Sequence, residues 1–578
     1  MTDQAIQADT SPVGGRTQAA RHASLRARDA RDTAGPVETR WHLWVALVLI
    51  GAAALTFYRL GAGSLWDQDE TKYAQVAREI LKTGDPVTLH INGRPWYVHP
   101  PLYMWLVALT GRTVGFTEFS VRFWSAAASV LAVYATILLG RALFSPRAGI
   151  LAGAILAVTL QFLFQSRLAV FDTVLLAWML LAMYAFVRAF ESGRRADYLW
   201  FFLCAGLGTL TKGPIGLLLP VLTIVPFVTL RRAWHRWREV PWVPGLVLYA
   251  VVGLSWYAVE TWLHGRAFVS LVLGYYGLGR FFGVVEDQAG AWYYYVPVVL
   301  LGAFPWTAFW PAAAVYHARR LKGDGSLLVL LWCFLTLIFY SAAGTKLPNY
   351  VLPIYPFAAM GVAAFWDAAL SDRGPVWRFG VPLGVLVSLA LLVALIAALF
   401  IGVRGYLGGL YPDAYRTYAH ILLIPAVTLA TGAGLVLILA AVRGRLAAFA
   451  TLCVTAAVAW LAVLTWVVPV VEAQKPMKPL GLTILSALRP GDRIVGYRMD
   501  IAASLIYYTN HNVEWVYAPG ELRRSVCAPG RVFLVITQRE WGAVRAALPA
   551  ALRPLAEREG TDVLVKPCSL SCLPSGAP

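Results

Sequence analysis

Residues 41–86 read WHLWVALVLIGAAALTFYRLGAGSLWDQDETKYAQVAREILKTGDP. The run from 42 to 60 is apolar almost throughout, long enough for a helix to cross roughly 30 Å of hydrocarbon. Immediately beyond it stand Asp67, Asp69, Glu70 and Lys72. Tyr73, Val76, Ala77, Ile80 and Leu81 then recur at helical spacing until Thr-Gly-Asp-Pro at 83–86 stops the pattern. A span that delivers the chain to a charged amphipathic helix lying in the membrane interface is the reading that decides the fold. A second apolar run, 101–109, is too short to span and predicts another interfacial helix, so that 61–116 forms one long structured loop.

Of the 578 residues 59% are hydrophobic and 14% charged, and the mean hydropathy is +0.62, values that exclude an ordinary soluble protein. The net charge of +18 does not point to nucleic acid, because Arg and Lys stand in short clusters between apolar runs. Spans are expected near 42–60, 119–140, 148–166, 170–188, 198–211, 214–230, 243–262, 293–315, 326–343, 349–367, 379–402, 419–441 and 447–470, about thirteen in all. The clusters Arg141/Arg147, Arg188/Arg194/Arg195, Arg231/Arg232/Arg236/Arg238, Arg319/Arg320/Lys322, Arg373/Arg378 and Arg443/Arg445 fall on one side with the N-terminal tail, which the positive-inside rule makes cytoplasmic. Residues 1–41 lack the apolar core of a signal peptide and read as a disordered cytoplasmic tail, leaving the first run as an uncleaved anchor. After Val470 the chain lies outside, with strand-like runs at 493–497, 532–536 and 562–565 and helical ones at 501–508 and 541–547. The expectation is a polytopic α-helical membrane protein, 42–470, carrying interfacial helices in its first periplasmic loop, plus a small C-terminal α/β periplasmic domain, 471–578. Of six cysteines, Cys204, Cys333 and Cys453 fall in spans and Cys527, Cys568 and Cys572 in the tail, where a disulfide is open.

Polar residues mark one leaflet edge. Asp67, Asp69, Glu70, Lys72, His99, Asp172, Lys212, Arg280, Lys346 and Asn349 come from loops far apart in sequence yet map to the same boundary. Each has a bland reading. Asp67 suits a helix N-cap or turn, Asp172 a pairing with Arg167, Lys212 a helix C-terminus, and His99 an interfacial anchor. Together, with Gly and Pro at the helix ends, they point to a polar cavity at the outer leaflet. Carboxylates beside Lys and Arg suit displacement of a phosphate from a sugar carbon: cations stabilise the departing phosphate and a carboxylate can accept a proton from a hydroxyl. Soluble nucleotide sugars are scarce outside the cytoplasm, which favours a lipid-linked donor. Asp67-Gln68-Asp69 has the form of a metal-binding pair, but cationic side chains make a divalent ion unnecessary, so no cofactor is required and metal stays open. The tail cysteines and His511 fit no standard zinc spacing.

Trp66-Asp67-Gln68-Asp69-Glu70-Thr71-Lys72-Tyr73 resembles the acidic motif of the protein O-mannosyltransferase and lipid A aminoarabinose transferase group of C-type membrane glycosyltransferases. Trp96-Tyr97-Val98-His99-Pro100-Pro101-Leu102 is similar to that group's second loop motif. Arg167 to Asp172, Thr211-Lys212-Gly213-Pro214, Gly279-Arg280-Phe281, Phe304-Pro305-Trp306 and Lys346-Leu347-Pro348-Asn349-Tyr350 follow in the same order. The resemblance covers about 42–470. It implies Asp69 as the catalytic carboxylate with Asp172 as the second acid, and Lys72, His99, Lys212, Arg280, Lys346 and Tyr350 as residues meeting the lipid phosphate or substrate. It further implies inverting transfer of a monosaccharide from polyprenyl phosphate, most plausibly 4-amino-4-deoxy-L-arabinose to lipid A, in the inner membrane. Two departures touch the substrate cavity: Val98-His99 replaces an acidic residue and Lys, and Asp287-Gln288 stands where a His often precedes Trp-Tyr-Tyr. Transfer of mannose, galacturonic acid or arabinofuranose to a glycan or protein is the nearer alternative. A transporter or lipid flippase is the distant one, disfavoured because the ionisable groups crowd one edge.

Overall fold

The computed structural model describes residues 40–371 except 68 and 285–287, a few between 383 and 390, and most of 412–566. Nearly all of the N-terminal tail, most of the expected span at 379–402, Arg373, Arg378, Arg443, Asp287, Cys568 and Cys572 lie outside the described residues.

Helix α1 (Trp41–Phe57) enters and the loop after it carries α2 (Asp69–Thr83), the short hairpin β1 (His90–Ile91) and β2 (Arg94–Pro95), and α3 (Leu102–Val114). The second interfacial helix is thus longer than the apolar run predicts, since the polar Thr110–Thr113 turn continues it. Then come α4 (Glu118–Leu143), α5 (Pro146–Ala157), α6 (Leu160–Ser166), α7 (Asp172–Ser192), α8 (Arg195–Lys212), α9 (Ile215–Leu230), α10 (Trp242–Phe282), α11 (Tyr295–Gly302), α12 (Trp306–Ala318), α13 (Asp324–Ala342), α14 (Ile354–Ser371), α15 (Pro412–Ala441) and α16 (Arg445–Ala473). Among the described residues six helices are long and apolar enough to cross a membrane, and eight if each bent pair is one span. The protein is a multi-pass membrane protein.

Two expected straight spans are broken. The 148–166 segment bends by 67° between α5 and α6, and the 293–315 segment by 105° between α11 and α12. Each break has a local cause. Thr159 leaves helical geometry at ψ 128, and Pro305 has no N–H to continue the ladder. Apolar surface gives helices little drive to associate in lipid, so close backbone approach matters instead. Gly208 of α8 meets Gly216 of α9 so tightly that a Cβ on Gly216 would lie 2.4 Å from the Gly208 carbonyl carbon. That contact closes the turn whose apex carries Lys212 and Gly213.

The C-terminal part holds α17 (Met477–Ala487), β3 (Arg493–Tyr497), α18 (Ala503–Thr509), β4 (Val513–Val516), α19 (Pro519–Cys527), β5 (Val532–Thr537), α20 (Gln538–Val544), β6 (Arg553–Arg558) and β7 (Thr561–Lys566). The sheet order is β4-β3-β5-β7-β6, with β3 parallel to β4 and β5 and with β7 antiparallel to β5 and β6. Alternation divides its two faces: Ile494, Phe533 and Val535 pack under α17 and α18, while Val495, Leu534 and Ile536 pack under α19 and α20. Helices α17 and α19 and strands β4 and β6 are additions to the elements expected from sequence.

Candidate active site

Asp69 occupies the first turn of α2, a position the helix dipole favours for a carboxylate. Its side chain is reachable from open space, and Tyr73 one turn on donates to Oδ1 at 3.4 Å. Desolvation by the surrounding elements pushes the Asp69 carboxyl above the usual aspartate value; Lys72 opposes this, Asp172 adds to it, and Lys212 and the Tyr73 hydrogen bond oppose it. Tyr73 also packs 5.0 Å from the Phe171 ring, which the Lys212 ammonium approaches to 4.9 Å, so Asp69, Asp172 and Lys212 border one space.

Asp172 and Lys212 face each other from helix ends of opposite polarity. Asp172 opens α7 and Lys212 closes α8, each at the end its charge stabilises. Gly213 then takes φ 95, a conformation that suits glycine, and lets the chain turn. Lys212 Nζ donates to Asp172 Oδ1 at 2.5 Å, and Asn349 Nδ2 donates to Oδ2 at 3.0 Å, so both carboxylate oxygens are held. The ammonium lies 4.9 Å from each of the Phe171 and Tyr350 ring centroids. Arg280 donates to the Tyr350 hydroxyl at 3.4 Å. The 280–283 backbone runs beside 344–346: Gly344 N donates to Phe281 O, Thr345 N to Arg280 O and Lys346 N to Gln288 O. This sets Lys346 one residue beyond the backbone bond between Thr345 and Arg280, although its ammonium is turned onto the Ser341 and Ala343 carbonyls, both at 2.8 Å, at the end of α13. Burial pulls that ammonium below the usual lysine value.

His99 packs edge-on to Phe171 at 4.6 Å, Trp96 at 5.8 Å and Tyr73 at 5.9 Å. Burial, reinforced by Lys212, Arg280 and Lys72, drives its pKa far below the ordinary histidine value, so the ring is neutral. It forms the aromatic wall of the space and faces the same cations as the carboxylates do.

Three expectations are corrected. Glu70 does not face the site: Arg122 Nε and Nη2 each donate to it at 2.8 Å, as do Trp66 N at 2.8 Å and Ala169 N at 2.6 Å. Arg122 also donates to the Leu60, Gly63 and Ser64 carbonyls, so this buried pair ties the loop before Asp69 to the segment before Asp172. Asp67 lies in the turn before α2, as one of its two readings had it, but its side chain does not cap that helix; it accepts from Ser504 N at 3.0 Å in the first turn of α18. Asp172 does not pair with Arg167, whose guanidinium donates instead to the Leu55 and Thr56 carbonyls of α1. Sequence reasoning put Asn349 at the rim without a role and passed over Tyr73 and Phe171. The Asn349-Tyr350 adjacency was the available signal for the first. Among the described residues no group of three or more His, Cys, Asp or Glu is arranged to hold a metal ion.

The helical bundle and the acidic and basic groups at its edge define an integral membrane protein with a polar site at one end of its helices. The family model described as dolichyl-phosphate-mannose-protein mannosyltransferase matches residues 41–284. It is 29% identical over 346 residues to the undecaprenyl phosphate-alpha-4-amino-4-deoxy-L-arabinose arabinosyl transferase of Edwardsiella ictaluri, covering 58% of this chain and 61% of that one. To the protein of the same description from Pseudomonas aeruginosa it is 31% identical over 332 residues, 56% and 59% of the two chains. The match thus spans about three fifths of these relatives' length. The crystal structure of ArnT from Cupriavidus metallidurans bound to undecaprenyl phosphate superposes with a TM-score of 0.77 at 20% identity, covering 91% of this chain and 99% of that one, which establishes a shared fold.

Proposed function

We propose that the protein transfers a monosaccharide from an undecaprenyl-phosphate donor to an acceptor at the outer face of the inner membrane, with 4-amino-4-deoxy-L-arabinose as the sugar and lipid A as the acceptor. The observation that carries this is the convergence on one space of Asp69, the Asp172–Lys212–Asn349 network and the Arg280–Tyr350 pair. Lys72, Lys212 and Arg280 are the cations that hold the donor phosphate and stabilise it as it leaves, each well-placed donor contributing roughly 3 kcal/mol to the transition state, and Lys346 joins them only by releasing the Ser341 and Ala343 carbonyls. Asp172 holds Lys212 in position. His99, neutral, and Tyr350 wall the sugar. Asp69 stands where it can stabilise a sugar carbon bearing positive charge or accept a proton from the acceptor. A lipid A phosphate is already ionised near neutral pH and needs only the first of these; a hydroxyl acceptor needs both.

Turnover of the purified full chain with undecaprenyl-phosphate aminoarabinose and lipid A, read by mass spectrometry, tests the reading. Aminoarabinose-bearing lipid A is the expected product. No turnover with this donor overturns it, and lipid A from a deletion strain that keeps its aminoarabinose overturns the assignment of acceptor and sugar. The second reading, mannose or another sugar to a protein or glycan, is favoured by one observation: the matching family is that of protein mannosyltransferases, and His99-Pro100-Pro101-Leu102 is closer to their form.

The remaining assignments follow the same line. Of about thirteen spans in 42–470, those beyond the six to eight seen are the shorter apolar helices such as α1 and α9 and the 379–402 run. Residues 1–41 lie in the cytoplasm and 471–578 form a periplasmic α/β domain. Cys527 is disulfide-bonded, chemistry at home in an oxidising compartment.

A further inference from the structure

The segment after β3 makes several polar contacts with the loop that carries Asp69. Asp67 Oδ1 accepts from Ser504 N at 3.0 Å, and the Tyr508 hydroxyl accepts from Leu65 N at 2.8 Å. Both loop atoms lie a few residues before Asp69. On the far side of α2, Arg78 donates to the Tyr507 carbonyl at 2.6 Å and lies 4.1 Å from the Tyr507 ring centroid. Beyond the helix, Asn92 and Val513 exchange two hydrogen bonds, Nδ2 to O at 2.8 Å and N to Oδ1 at 2.9 Å. Asn92 is itself anchored to α2, since its N–H donates to Glu79 Oε1 at 2.7 Å. Tyr507 and Tyr508 are buried in the same apolar cluster as Tyr73, Ala74, Val76 and Ala77, which is the buried face of α2.

These contacts grip α2 at its entry, along its length and after its end. None involves Asp69, Lys72 or the Asp172 network. We propose that α18 and the start of β4 act as a clamp that sets the position of α2, and with it the Asp69 carboxylate, so that Asp67 and Tyr508 are positioning residues for the reaction. The inference rests on the transfer reading above for its catalytic consequence but not for the clamp itself. A displacement near 1 Å of a reacting group costs on the order of 10²-fold in rate, which makes a modest shift of α2 measurable. The C-terminal part then serves to hold the helix that carries Asp69.

The test uses the full-length protein with Asp67→Ala, Asp67→Asn and Tyr508→Phe. Asn retains an oxygen that can accept from Ser504 N; Ala does not. Hydrogen exchange is followed on peptides covering 65–83, alongside kcat and KM for the undecaprenyl-phosphate donor. Asp67→Ala and Tyr508→Phe should speed exchange at the start of α2 and lower kcat about tenfold or more, with donor KM changed less than about threefold. Asp67→Asn should restore both. Unchanged exchange in Asp67→Ala overturns the clamp; faster exchange with wild-type kcat overturns its positioning role. Equal loss of kcat in Asn and Ala overturns it too, because the charge rather than the hydrogen bond would then be needed. If the wild-type protein does not turn over this donor, the transfer reading fails while the exchange arm still decides the clamp.

Discussion

Protonating Asp69 removes its capacity to accept a proton or to stabilise positive charge, so activity should fall on the acid side as pH drops through its pKa. Desolvation raises that pKa above the ordinary 3.8, and the acid limb of kcat/KM should sit correspondingly higher. The neighbours give the sign a test. Lys72 lowers the Asp69 pKa, so Lys72→Gln should move the limb to higher pH; Asp172 raises it, so Asp172→Asn should move the limb of the residual activity to lower pH. Opposite movements in a pH–rate profile would confirm the coupling, and a limb indifferent to both would remove Asp69 from it. Asp69→Asn itself should abolish transfer to a hydroxyl acceptor and leave a milder deficit with a phosphate acceptor, measured with both acceptor types. Full activity with either would take Asp69 out of the mechanism. The charged members of the site were legible because ionisable residues at a membrane edge are costly and so stand out in sequence. Asn349 was legible as a rim residue but not in its role, since an amide carries no charge, and Tyr73 and Phe171 were not singled out, since aromatic residues at helical spacing look like core.

Helix α2 owes its entry angle to a buried ion pair as well as to the clamp. Glu70 and Arg122 are both almost wholly buried, and between them they bind five backbone groups. Removing one partner leaves the other charged and desolvated, which costs about 3–5 kcal/mol. Arg122→Met should therefore lower the thermal unfolding temperature of the detergent-purified protein sharply, and Glu70→Met added to it should recover part of the loss; an unshifted single variant would show the pair to be idle. The α8–α9 turn makes a second prediction. A Cβ at Gly216 would meet the backbone of Gly208 and Thr209, which cannot move aside like a flexible side chain. Gly216→Ala should destabilise by about 1–3 kcal/mol and, by shifting Lys212, lower activity more than it lowers yield. Elements of this kind explain what the sequence concealed. Length and hydropathy announced 148–166 as one span, but nothing in hydropathy reports a change of direction at Thr159. Strand β6 was invisible because it is an exposed edge strand, Arg-Pro-Leu-Ala-Glu-Arg, whose proline a central strand would reject. Strands β3, β5 and β7 were read near their true bounds because they are buried and rich in branched residues.

At the scale of the whole molecule, the transfer reading requires that the first loop and the C-terminal sheet share a compartment, and the contacts between them allow no alternative. Asp67 bonds Ser504, Lys478 pairs with Glu118, and Glu472 accepts from Ser64 N. In the orientation proposed above that compartment is the periplasm, since the Arg194–Arg195 and Arg319–Lys322 clusters fall at the opposite helix ends, which the positive-inside rule assigns to the cytoplasm. Cysteines placed at exposed Gly84 and Arg539 should react with a membrane-impermeant maleimide in intact spheroplasts, whereas cysteines at exposed Arg194 and Lys322 should react only after lysis. The native thiols at Cys204, Cys333 and Cys453, buried or half-buried, should contribute little background, and the parent protein without added cysteines sets the level due to the tail. Protection of both Gly84 and Arg539 would invert the protein and place Asp69 on the cytoplasmic face, where nucleotide sugars are plentiful and a lipid-linked donor has no advantage. Labelling of one and not the other would contradict the Asp67–Ser504 contact and with it the clamp on the catalytic helix.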